Sequence, residues 1–288
     1  MGLAAARAGR RALLCEVAGS SRASALLSTE EVGHEQPVQL APELFGIAID
    51  VDHSTERYLA SQLRVRPLVD MLSRSKAFHQ FTAAAPGLAE LVTLGAIWSL
   101  AVELRPGGER PVWDFVVVDC PATGHGVALL ETAANIRSLS AQGPITEQSE
   151  QIEQVIKHPG ATGVVLVARP DELPVTEAAD AAEALRQRDL PLALAVMNAV
   201  TPQRFKDEEA GALTAASLDG GGASSAAATA ALAHLERQAV EAVHLEHLAA
   251  GTDLPVLELP MLVREEFGLE AVQELARAAA EGLEGMGW

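Results

Sequence analysis

The sequence predicts an α/β protein built on a doubly wound, mostly parallel sheet. Two observations carry that expectation. Short apolar runs alternate with helical segments from end to end, without an internal repeat. The run Trp113 to Asp119 (WDFVVVD) is continuous in valine rather than alternating, as in a parallel strand buried on both faces.

In chain order, Met1 to Ala8 reads as two helical turns closed by Gly9, with Arg7, Arg10 and Arg11 complementing the helix dipole. A helix this short does not stand alone in water, so it reads as the end of a longer helix or as a short terminal one. Ala12 to Val17 is the first strand, followed by a Gly19-Ser20-Ser21 turn and a short helix to Leu27. Residues 28–43 read as a polar loop, and Leu44 to Val51 as the second strand. Residues 54–104 form a helical insertion broken at Pro67 and Pro86-Gly87; Leu88, Leu91, Leu94, Ile97, Leu100 and Ala101 recur at helical steps. That face is either core or a cover for a substrate or partner. Strands follow at Trp113 to Asp119, Thr162 to Ala168, Leu192 to Asn198 and Val256 to Leu259, with a helix from about Val175 to Arg188. Residues 207–231, rich in Ala, Gly and Ser, read as a mobile loop. The whole of 1–288 reads as one domain.

Composition limits function. A net charge of −18 opposes binding to nucleic acid or an anionic membrane. No run reaches about 18 apolar residues, so no direct membrane insertion is expected. Two distant cysteines, Cys15 and Cys120, build neither a disulfide framework nor a CxxC zinc clasp, which suits a reducing cytoplasm. His244, His247 and Glu241 share helical spacing and read as a solvated face before a metal site.

In open α/β sheets, ligands sit beyond the carboxyl ends of the strands. There the sequence places Glu16, Asp119, Asn198 and Pro260. Asp119 closes a valine run, the pattern by which a strand-end carboxylate holds Mg2+ through water. Gly124 follows in Asp119-Cys120-Pro121-Ala122-Thr123-Gly124-His125, where its N–H can sense a γ-phosphate.

The segment DCPATGH resembles switch II of the ArsA-type arsenite- and anion-transporting ATPases and of the related ATPases that target tail-anchored proteins. AARAGRRALLCEVAGS resembles the helix after their phosphate loop, the next strand and switch I. ARPDELPVTEAADAAEALRQRDLPLALAVMNAV and LELPMLVREEFGLEAVQELA resemble later segments in the same order. The resemblance implies a P-loop NTPase-type sheet, the cofactors ATP and Mg2+, and a homodimer with a transporter or protein-cargo partner. It implies that Asp119 holds the Mg2+ water shell, that Glu16 orients the attacking water, and that Gly124 and His125 form switch II. Asn198 would read the adenine edge, with Pro260 and Met261 flanking the base. Where the family has Asp-Pro-Ala in switch I, Glu16-Val17-Ala18 stands here, one methylene longer and without the proline.

The family's Gly-rich loop with two lysines is not found. The only lysines are Lys76, Lys157 and Lys206, none preceded by the required glycines. The expectation is therefore an ATPase whose first strand and phosphate loop lie upstream of Met1. A buried strand of that kind is worth about 10 kcal/mol, comparable with a whole domain's stability. The other readings are a pseudo-ATPase scaffold and a partition-type ATPase of the same superfamily. The cargo, an anion or a hydrophobic helix, is not legible.

Overall fold

The computed structural model describes residues 1–17, 22–27, 31–50, 88–121, 123–135, 144–219 and 221–287. It is a mixed α/β protein with parallel sheets flanked by helices. The chain divides into two compact units. The first comprises Met1–Gly163, Ala184–Pro191 and Glu266–Ala280; the second comprises Val164–Glu183, Leu192–Glu265 and Glu281–Trp288.

In the first unit, β1 (Ala12–Val17) lies between β3 (Leu44–Ile49) and β4 (Phe115–Asp119), parallel to both. β2 (Val38–Ala41) adds to β3 in antiparallel sense, giving the order β2-β3-β1-β4. Successive strand residues face opposite sides of a sheet. Ala12 accordingly joins a core with Ala23 and Leu27 of α2 (Arg22–Leu27), while Leu13 and Cys15 join Ile97 and Leu100 of α3 (Leu88–Ala101) on the other side. α1 (Gly2–Arg7) ends at Gly9 with φ 77°, the left-handed conformation that suits glycine, and the Gly9 and Arg10 amides close the helix onto Ala6 and Ala5 carbonyls. α4 (Thr123–Asn135), α5 (Pro144–Lys157) and α3 share the buried cluster Leu94, Leu129 and Ile152.

The second unit holds β5 (Val164–Ala168), β6 (Leu192–Val200) and β7 (Val256–Pro260), all parallel with β6 central. α6 (Glu172–Arg186) and α8 (Ala223–Thr252) cover one face: Val175 and Ala178 of α6 and Leu248 of α8 pack on Ala195 and Met197. Gly251 lets the two helices approach, since a Cβ there would stand 2.9 Å from that of Ala179. The last described helix, α9 (Leu269–Gly285), belongs to the first unit as far as Ala280.

The structure differs from the sequence reading in three places. Residues 207–231, expected as a mobile loop, are largely helical: a 3-10 turn at Asp207–Glu209, then α7 (Ala210–Leu218) and the start of the 30-residue α8. Alanine carries the best helix propensity, and here it outweighs the low complexity that suggested a linker. The stretch 28–43 contains β2, paired with β3. β4 is not buried on both faces, because among the described residues it bonds only to β1, and Phe115 is 44% exposed. Of the expected helical insertion, 54–87 lies outside the described residues. Among the described residues, no helix is long and apolar enough to cross a membrane.

Candidate functional site

The site residues form two groups, one in each unit. In the first unit, Glu16 and Asp119 are register partners on adjacent parallel strands, so both carboxylates stand at the same sheet end. Glu16 shares the β1 face of Ala12, beneath α2. Its Oε1 accepts hydrogen bonds from the Arg22 and Ala23 amides at 2.9 and 3.1 Å, holding the first turn of α2. Glu16 is only 5% exposed, and its Oε2 has no hydrogen-bond partner among the described residues. Asp119 is exposed at the end of β4. Although the residue is exposed overall, partial desolvation of its carboxyl raises its pKa above the ordinary 3.8, the Glu16 charge raises it further, and Arg22 opposes both. Arg22 is a charge that sequence reasoning missed; only the fold brings it to the carboxylates.

This donor set fits a hard divalent cation. An orphaned buried carboxylate oxygen stands beside a second carboxylate disfavoured as a charged group, and each would gain from a cation. Among the described residues, no group of three or more His, Cys, Asp or Glu is arranged as a metal cage.

Gly124 and His125 are exposed at the start of α4. A Cβ at Gly124 would meet nothing within 4 Å, so packing does not require glycine there. It does two residues on: a Cβ at Gly126 would stand 2.8 Å from the Pro121 carbonyl oxygen. The close approach of α4 to that carbonyl was legible only as the second glycine of Thr-Gly-His-Gly.

Cys15 and Cys120 are free thiols. Burial pushes Cys15 up to about 12; burial, then the Asp119 charge, pushes Cys120 up to about 11. Both are neutral near pH 7 and poor soft-metal ligands as they stand.

In the second unit, Asn198, Pro260 and Met261 are brought together. Asn198 pairs in register with Leu259, and Val200 with Pro260. Between Asn198 and Val200 the register shifts by a bulge, with Ala199 at φ 63°. The Met261 amide donates to the Val200 carbonyl at 2.7 Å, fixing the chain after β7 against the bulge. Glu241 of α8 is buried rather than solvated, and both its oxygens accept from Thr201. The expected His-His-Glu face is thus broken: Glu241 turns inward, while the His244 and His247 rings stand 6.5 Å apart.

Residues 3–143 match the family model described as Anion-transporting ATPase. The chain is 27% identical over 213 residues to the ATPase BagA of Mycobacterium tuberculosis, covering 73% of this chain and 62% of that protein. It is 23% identical over 276 residues to a Halobacterium salinarum protein named "Putative arsenical pump-driving ATPase", covering 90% of this chain and 38% of that protein. The chain therefore spans less than two thirds of the length of either relative. Over residues 3–143, just under half of its length, the chain is thus similar to the anion-transporting ATPase family, and the strand-end carboxylates Glu16 and Asp119 lie within that segment.

Proposed function

We propose that the protein is a nucleotide-driven ATPase of ArsA type, hydrolysing Mg·ATP as a homodimer to power the transport or targeting of an anion or protein cargo in the cytoplasm. The observation that carries the reading is the Glu16–Asp119 pair, two carboxylates on register-matched parallel strands with one buried oxygen unpartnered. The family match over the segment containing both residues supports it.

Asp119 would hold the water shell of Mg2+, which when bound offsets negative charge on the β- and γ-phosphates. Glu16 has one oxygen fixed by α2 and the other free of hydrogen bonds among the described residues, so it can accept from an attacking water without first giving up a protein partner. Gly124 and His125, exposed at the start of α4, supply switch II, where the Gly124 N–H senses the terminal phosphate. Asn198, Pro260 and Met261 would hold adenine. Charge development at the phosphoryl group is met mainly by positioning and electrostatics in such reactions.

The family's Gly-rich loop with its lysines is not among the 288 residues. The test is to read the codons preceding Met1. In-frame codons for an apolar strand and a Gly-rich, two-lysine loop support the reading; an in-frame stop directly upstream overturns it for this gene.

A further inference from the structure

The bulge beside Asn198 is held by an unusual set of restraints, all within the second unit. The Thr201 amide donates to Glu241 Oε2 at 2.7 Å, and its hydroxyl donates to Oε1 at 2.7 Å. Thr201 is 4% exposed and Glu241 9%, so both are largely withdrawn from solvent. One helical turn towards the N-terminus of α8, Gln238 Nε2 donates to the Thr201 carbonyl at 3.5 Å; two turns away, His234 Nε2 stands 2.9 Å from the Pro202 carbonyl. These side chains lie at i, i+4 and i+7, one stripe of the helix. The stripe grips the two residues that follow the bulge, and the Met261 amide grips Val200 within it. An alanine at φ 63° persists only when its surroundings over-determine it. A cavity of about 360 Å3 lies beside the bulge; Thr201, Gln238, Glu241 and Pro260 line it, and Asn198 does not.

We propose that Glu241 is a positioning residue for base recognition: through its two bonds to Thr201 it holds the bulge that aims the Asn198 amide. The inference rests on the reading of Asn198 and Pro260 as base-binding residues. Glu241 itself does not touch the base, because both its oxygens are engaged by Thr201. A purely architectural Glu241 would affect stability alone. A positioning Glu241 also sets the preference between bases, since preference depends on where the Asn198 donor and acceptor stand.

The experiment titrates the isotopically labelled chain with adenosine and, separately, guanosine, reading the Asn198 side-chain amide resonance and the affinity. It compares the parent chain with Thr201→Val, Thr201→Ser, Glu241→Gln and Asn198→Ala, at a temperature where each keeps its folded spectrum. Thr201→Val is expected to weaken adenosine binding by about tenfold and to collapse the adenosine-over-guanosine preference, as for one lost charge-assisted hydrogen bond. Thr201→Ser, which keeps the hydroxyl, stays within about twofold of the parent. Should Thr201→Val fail to fold, Glu241→Gln carries the comparison, since its carboxamide offers one acceptor to two donors. Parent-like adenosine affinity in Thr201→Val, or weaker binding with the preference intact, overturns the positioning role and leaves the base reading standing. An Asn198→Ala that binds like the parent, or a parent that does not respond to adenosine, overturns the base reading and this inference with it.

Discussion

Replacing Thr201 by Val tests the structural reasoning in one step. Valine keeps the volume and the amide bond to Glu241 Oε2 but removes the hydroxyl bond to Oε1. A hydrogen bond to a charged group is worth about 1.5–3 kcal/mol, and an oxygen left buried without water lies towards the upper end. Thr201 and Glu241 are 4% and 9% exposed but line the cavity, so water can compensate only in part, and the expected loss is about 1.5–3 kcal/mol. For a chain of this size that lowers the thermal midpoint by about 5–10 °C. Circular dichroism melts of Thr201→Val, Glu241→Ala and the double variant give the coupling directly, expected at about 1 kcal/mol or more for groups in contact. A single-variant loss below about 0.5 kcal/mol, or additive losses in the double variant, refutes the assignment of Glu241 as the anchor of the bulge.

Three further outcomes are expected. Asp119 has its pKa raised by burial and by Glu16, so the folded chain binds a proton that the unfolded chain releases, and stability falls as pH rises from 3.8 through the raised value. Asp119→Asn removes that penalty and stabilises the chain at pH 7, with the gap narrowing on acidification; urea midpoints at pH 4 and pH 7 check it, and an unchanged or lower midpoint at pH 7 counts against it. Leu248, fully buried against Ala195 and Met197, should cost about 2–5 kcal/mol when cut to Ala, read as a urea midpoint shift. Calorimetry of the 288-residue chain should show Mg·ATP bound no more tightly than adenosine, because no lysine-bearing glycine loop is among its residues to hold the phosphates. Micromolar binding would show that the loop is dispensable.

Much of the fold was legible because strand signals are local. The runs at Ala12, Leu44, Phe115, Val164, Leu192 and Val256 are apolar and bounded by turn residues or helices, and each is a strand. The end of β1 was legible too: Glu16 breaks an apolar run, and a lone acid at that place reads as chemistry. β2 was not legible, because Val38–Ala41 is four residues long and owes its strand state to pairing with β3. The helices at 210–218 and 223–252 were misread because Ala-rich sequence satisfies both a flexible-linker pattern and a high helix propensity. The least legible contact was Thr201 with Glu241, 40 residues apart and without a motif. Arg22, whose charge acts on Asp119, was hidden for the same reason: it comes there on α2, whose first turn is held by Glu16, and not by a motif along the chain.

We propose that Asp119, beside Glu16, serves phosphoryl transfer. That role is tested most directly by ATP hydrolysis in the gene product that carries a Gly-rich, lysine-bearing loop ahead of β1. The predicted result is Mg2+-dependent turnover that Asp119→Asn lowers by about a hundredfold or more. Turnover that Asp119→Asn leaves unchanged, or no turnover at all, contradicts it.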